Sequence, residues 1–396
     1  MKKTPKLGFF GLMITVCFVV WTATSHALDN GLALTPPMGW NSWNCFHGKI
    51  NEDLIKSIAD AMVESGMKDA GYQYVVIDDN WQKSRDKDGF ILPDPDRFPS
   101  GIKALADYVH SKGLKFGLYS DVGMTTCMGL PGSRGHEYQD AQQYARWGVD
   151  YLKYDWCNPG TTDARGAYSL MRDALKSAGR PIVFSLCEWG QNQPWLWAAN
   201  VGNLWRTTGD IVDKWEDGSS KGGGHGWVSI LDLQAGLEAY AGPGHWNDPD
   251  MMIVGNGKLT TAEYRAHFSF WCLLAAPLVS GNDLRNMTPD TKEILMNREV
   301  IAIDQDPLGK QGARVRDDGE LEVWAKQLQD GSRAVVLFNR STQPATISVA
   351  WPEIGYPARI NADVRDLWKH KDLGKYVGKY EAIVPSHDVI MVKVTP

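Results

Sequence analysis

Short apolar runs that each end in an acid, with amphipathic stretches between them, constrain this chain more than any other feature. Tyr74-Val75-Val76-Ile77 leads into Asp78-Asp79, the run 115–119 into Asp121, 151–154 into Asp155 and 182–186 into Glu188, while 203–206 is followed by Asp210. Helical patterns such as 102–111 and 140–147 separate them. From Asn51 onward Leu54, Ile55, Ile58, Ala59 and Met62 share one face, with Asn51 placed to cap and Gly66 to stop the helix. Strand and helix in alternation imply a parallel sheet. Closed into a (β/α)8 TIM barrel, such a sheet brings every strand C-terminus to one face, where the acids converge. An open doubly wound sheet would carry a glycine-rich phosphate loop after its first strand, and none follows this one.

Beyond Gln305-Asp306-Pro307-Leu308-Gly309 the period changes to two. Leu321, Val323 and Ala325 alternate with polar residues, and 334–338, 347–351 and 389–394 read as further strands between turn residues. A chain of 396 residues exceeds one compact core, so the expected division is a barrel over 28–308 and a C-terminal antiparallel β-sandwich domain over 309–396.

Residues 1–27 read as a signal peptide: Lys2, Lys3 and Lys6 precede an apolar stretch over 7–21, and Ser25-His26-Ala27 offers cleavage after Ala27. The expected destination is secreted or periplasmic. No later stretch has the roughly 20 apolar residues a bilayer demands, so no membrane association is expected after processing. Five cysteines then remain, at 45, 127, 157, 187 and 272, and at least one must be unpaired. A net charge of −6 leaves no cationic excess for a phosphate backbone, which argues against nucleic acid as a partner. The 17 Trp and 14 Tyr suit stacking on the C–H faces of sugars as well as a core.

Glycoside hydrolysis needs two carboxyl groups across the scissile bond. Lys153 and Asp155 stand two apart on a strand and share a face. A nearby cation would keep Asp155 ionised, as a nucleophile requires, although a structural ion pair would read the same. Asp210 is followed closely by Asp213 and Asp217, and pattern alone does not choose among them. Asp78-Asp79 and Trp246-Asn247-Asp248-Pro249-Asp250 fit either sugar hydroxyls or helix caps. His136-Glu137 lacks the second His of a zinc helix, Gly255-Asn256-Gly257-Lys258 is too short for a phosphate loop, and no Gly-x-Ser-x-Gly elbow occurs.

Taken together, Pro37-Met38-Gly39-Trp40-Asn41-Ser42-Trp43, Ile77-Asp78-Asp79, Gly117-Leu118-Tyr119-Ser120-Asp121, Lys153-Tyr154-Asp155, Cys187-Glu188-Trp189, Trp205-Arg206 and Trp246-Asn247-Asp248-Pro249-Asp250-Met251 resemble glycoside hydrolase family 27. The order is the family's, over about residues 33–312, and the resemblance is stronger to its α-galactosidases than to its α-N-acetylgalactosaminidases. It implies a (β/α)8 barrel followed by an antiparallel β domain, no cofactor or metal, and retaining hydrolysis of terminal α-linked D-galactose from oligosaccharides, galactomannan or glycoconjugates.

Residue by residue, the resemblance implies Asp155 as nucleophile and Asp210 as acid/base, with Trp43, Asp78, Asp79, Tyr119, Lys153, Arg206 and Asp250 binding the sugar. Asp78 and Asp79 would hold the 4- and 6-hydroxyls. Glu188 would face the 2-position, accepting from a hydroxyl and crowding an N-acetyl group. Cys127 and Cys157 match a family disulfide. Asn80 and Gly202 stand where two further bridges would need cysteine, which leaves Cys45, Cys187 and Cys272 as expected free, buried thiols. The mechanism asks for a higher pKa at Asp210 than at Asp155. The competing readings are a β-L-arabinopyranosidase or α-N-acetylgalactosaminidase on the same barrel and, from another class, a galactose-binding protein without catalysis.

Overall fold

A computed structural model describes residue 1 and residues 28–217 and 224–396; the signal-peptide reading therefore falls almost wholly outside the described residues. The acid-terminated runs are parallel strands β2 (Tyr74–Val76), β3 (Lys115–Asp121), β4 (Tyr151–Asp155), β5 (Val183–Cys187) and β6 (Leu204–Arg206). Three shorter strands complete the set: β1 (Met38–Asn41), β7 (Trp246–Asp248) and β8 (Leu278–Ser280). Their order is β8-β1-β2-β3-β4-β5-β6-β7. The ring joins where Met252, just past β7, bridges to Ser280 in parallel, its N–H donating to the Val279 carbonyl at 2.8 Å.

Strand contacts inside the ring are tight. A Cβ on Gly39 of β1 would lie 2.5 Å from the Tyr74 carbonyl oxygen on β2, so only glycine fits that approach. Outside the ring, helix α1 (Glu52–Glu64) buries Ile55, Ile58, Ala59 and Met62, as its periodicity predicts. Asn51 Oδ1 accepts from the Leu54 N–H at 2.8 Å, and the chain turns away through Gly66 at φ +90°.

The C-terminal region is antiparallel. Strands β9 (Ala313–Asp317), β10 (Leu321–Gln327), β11 (Arg333–Asn339), β13 (Asn361–Asp366), β14 (Lys371–Val377) and β16 (Asp388–Thr395) form one sheet in the order β9-β10-β11-β16-β13-β14. Strands β12 (Ala345–Ala350) and β15 (Lys379–Val384) form a second. Val323, Val335 and Leu337 meet Ile347, Val349 and Tyr380 in the core between them.

The opposite face of β11 packs on the barrel helix α2 (Thr261–Leu273). Phe270 of that helix lies 4.9 Å from Phe338 and 5.5 Å from Trp324, centroid to centroid, and Arg265 pairs with Asp388. Among the described residues no helix is long and apolar enough to cross a membrane.

Candidate active site

The barrel's C-terminal face holds a cleft of about 390 Å³. Asp155 ends β4, Asp78 and Asp79 follow β2, Tyr119 lies in β3, Lys153 precedes Asp155 by two, Arg206 ends β6, Asp210 and Asp250 occupy the loops beyond β6 and β7, and Trp43 opens a short helix, Trp43–Phe46, after β1. Every one of these expected site residues lines the cleft, together with Asn44, Cys127, Trp189 and Met251.

Glu188 does not line it. Its carboxylate is fully buried, and Oε2 accepts from both the N–H and Nδ2 of Asn192 at 2.6 Å. The cause is local backbone geometry. Trp189 adopts a left-handed φ of 56°, and Gly190 packs so closely on the Thr207 carbonyl that a Cβ there would lie 2.2 Å away. Trp189, the next residue, lines the cleft, while the second carboxylate oxygen of Glu188, Oε1, is buried without a hydrogen-bond partner.

Asp78 Oδ2 accepts from Lys153 Nζ and Asn41 Nδ2, each at 2.8 Å. Asp79 accepts from the N–H groups of Asn80 at 2.7 Å and Met128 at 2.9 Å, and burial pushes it up to about 6. Neither acid caps a helix; the chain continues into a short hairpin of Gln82–Arg85 with Ile91–Pro93. The alternatives to Asp210 point elsewhere: Asp213 accepts from the Lys258 N–H at 2.6 Å and Asp217 pairs with His225 at 2.6 Å.

The two proposed catalytic acids sit in different surroundings. Asp155 is 5% exposed, and burial raises its pKa against the opposing charge of Lys153. The Asp210 side chain is 57% exposed. Partial burial would raise it, but Arg206 at 3.0 Å, Lys153 and a hydrogen bond from Trp189 hold it below the usual carboxylate range. These directions put Asp210 below Asp155, the reverse of the order the expected mechanism asks for, because the Arg206 guanidinium is aimed at Asp210 and Asp155 lies deeper.

Cys127 and Cys157 are disulfide-bonded. Asp121 binds the loops beside them, accepting from the N–H groups of Gly123 at 2.6 Å and Cys157 at 2.8 Å; burial and the charge of Asp155 push it up to about 8. Asp121, Cys127, Asp155 and Cys157 bring ligand-type atoms within 4.8 Å of one another, but the disulfide occupies both sulfurs. Cys187 and Cys272 are free and buried, whereas Cys45, also free, is only partly buried.

Asn44, Trp189 and Met251 have no role in the sequence reading, although Trp189 and Met251 stand inside the motifs quoted for the family. Their signal was adjacency to those motifs.

An eight-stranded barrel with carboxylates and cations gathered at its strand C-termini is the arrangement of a glycoside hydrolase. Residues 35–306 match the family described as alpha galactosidase A and residues 318–394 the alpha galactosidase C-terminal beta sandwich domain, so the chain belongs to the α-galactosidases of glycoside hydrolase family 27. It is 50% identical over 399 residues to alpha-galactosidase A of Cellvibrio japonicus, with 98% of each chain covered. It is 53% identical to alpha-galactosidase 3 of Arabidopsis thaliana, covering 93% of this chain and 84% of that one. Among solved structures, alpha-galactosidase I from Mortierella vinacea superposes with a TM-score of 0.90 at 38% identity, covering 92% of this chain and 98% of that one.

Proposed function

We propose that this protein is an exported exo-α-galactosidase that removes terminal α-linked D-galactose with retention of configuration, with Asp155 as nucleophile and Asp210 as general acid/base. The observation that carries the reading is that these two acids line one cleft with Lys153 and Arg206, while Asp213 and Asp217 do not. Oligosaccharides, galactomannan branches and glycoconjugates are the substrate class.

In the first step Asp155 attacks the anomeric carbon. The bond to the leaving oxygen breaks as Asp210 donates its proton, giving a β-galactosyl-enzyme. Water then attacks that carbon, Asp210 takes its proton, and Asp155 leaves as carboxylate. Asp78 and Asp79, fixed by Lys153, Asn41 and backbone N–H groups, hold the 4- and 6-hydroxyls. Glu188 is assigned to the 2-position, where its carboxylate accepts from a hydroxyl and would crowd an N-acetyl group, with Trp189 lining the cleft beside it.

Substrate sets the proton order. The aglycone covers the half-exposed face of Asp210 and raises it by desolvation, while sugar hydroxyls donating to Asp155 keep it ionised.

Azide distinguishes the roles. With an activated aryl α-galactoside, Asp155→Gly plus azide should yield the inverted β-galactosyl azide, and Asp210→Gly plus azide the retained α-galactosyl azide. The opposite pairing of products would exchange the two assignments. Galactose binding by the wild-type protein without any turnover would favour a sugar-binding protein.

A further inference from the structure

Asp250 lines the cleft, and both of its carboxylate oxygens are also bonded to the protein. The residue is 3% exposed. Oδ1 accepts from the Met251 N–H at 2.7 Å. Oδ2 accepts from the Ile211 N–H at 2.8 Å and pairs with Arg206 Nη2 at 2.9 Å. Its own N–H donates to Asp248 Oδ1 at 2.9 Å, and its carbonyl accepts from Trp271 Nε1 at 2.8 Å. These bonds hold it at φ 90°, a backbone conformation that asparagine and aspartate tolerate better than most residues but still rarely adopt.

The two partners of Oδ2 are those that fix Asp210. Ile211 is its chain neighbour, and Arg206 Nη2 also bonds Asp210 Oδ1 at 3.0 Å. We propose that Asp250 is a positioning residue for the acid/base, which rests on the assignment of Asp210 to that role: one carboxylate oxygen anchors both the backbone that carries Asp210 and the guanidinium that aims its side chain. An amide cannot replace it. Asparagine has one acceptor oxygen, and its NH2 would face either the Met251 N–H or the Ile211 N–H and guanidinium, donor against donor.

A positioning role and a sugar-binding role lose activity differently. Protonation of the leaving oxygen matters most when the departing alcohol is weakly acidic, so a misplaced Asp210 should spare activated substrates. For Asp250→Asn in the full chain we expect kcat/KM to fall by less than about tenfold on a dinitrophenyl α-galactoside and by about a hundredfold or more on an α-galactosyl disaccharide. Inhibition by free galactose should stay within about threefold of wild type. Equal losses on both substrates, or a galactose constant weakened in step with kcat/KM, would overturn the proposal. Should Asp250→Asn not fold, Asp250→Glu, which keeps both acceptor oxygens but displaces them, carries the same comparison with the same two outcomes. Wild-type turnover of the aryl substrate is the control: its absence would sink the galactosidase reading itself and leave the geometry of Asp250 unjudged by that route, whereupon loss of Asp210 ordering in a crystal structure of Asp250→Asn decides it.

Discussion

Lys153 Nζ lies 2.8 Å from Asp78 Oδ2, so the cation beside the proposed nucleophile is bonded to a carboxylate proposed to hold the sugar. One ammonium thereby serves two acids, with a bond to Asp78 and a longer-range field on Asp155. Lys153→Met removes the charge that opposes the burial effect at Asp155, whose pKa rises further. Asp155, the higher-titrating of the two proposed acids in the free enzyme, then stays protonated to higher pH, so the basic limb of kcat/KM moves upward while the share of productively protonated enzyme falls. Asp78 keeps its bond from Asn41 but loses the ammonium that fixes it, and misplacing a group proposed to hold the sugar should also lower kcat/KM by about a hundredfold. Both are read from one pH–rate profile.

The reversed ordering of Asp155 and Asp210 predicts a difference between two profiles. The basic limb of kcat/KM reports the free enzyme and that of kcat the bound complex. Arg206 holds Asp210 low before substrate arrives, and the aglycone raises it afterwards. With a poor leaving group, so that bond cleavage limits turnover, the basic limb of kcat should follow Asp210 where that of kcat/KM follows Asp155, and the two profiles should not superimpose. Superimposable limbs would count against substrate-set protonation.

Trp189 offers a smaller test of the same acid. Its side-chain hydrogen bond helps to hold Asp210 low. Trp189→Phe keeps a ring lining the cleft and removes the N–H, so Asp210 rises and the acidic limb of kcat/KM, which follows the lower-titrating acid of the free enzyme, shifts upward. KM should change little.

The Cys127–Cys157 bridge closes a separation of 30 residues next to Asp121 and Asp155. Replacing both cysteines by serine should cost roughly 3 kcal/mol by the loop-entropy account, seen as a lower midpoint in denaturant. Because the Cys157 N–H is a ligand of Asp121, loosening that loop should also reduce kcat. An unchanged midpoint would show the bridge to be thermodynamically idle.

The β domain reaches the loop after Asp210 through Trp215, five residues on, which stacks on His387 at 4.3 Å with 9° between planes and lies 5.8 Å from Phe338. His387→Ala removes that contact, worth about 1 kcal/mol, and should lower Tm by a few degrees. Calorimetry checks it.

Legibility from sequence followed the physics of each element. Strands β2 to β6 announced themselves because apolar residues precede an acid at the pocket's edge. By contrast β7 is Trp246–Asp248, with Asn247 bonded through Nδ2 to the Leu237 carbonyl and to Gln311, and a three-residue run with polar members carries no periodic signal. Helix α2 was missed for another reason. It is buried on nearly every side, between the barrel and the β domain, so it lacks the amphipathic stripe by which helices are found. The acids and cations that line the cleft were legible from motif spacing, whereas the burial of Glu188 beside the left-handed turn at Trp189 is a tertiary constraint that composition does not encode.

The ring of strands is fastened at Met252 and Ser280 by a lone rung where its other neighbours share ladders. Asp250 and Met251 occupy the few residues between the end of β7 and that rung. The clasp of the barrel and one flank of the catalytic cleft are therefore the same piece of chain, and a substitution that springs the clasp alters the pocket's mouth before it unfolds the molecule.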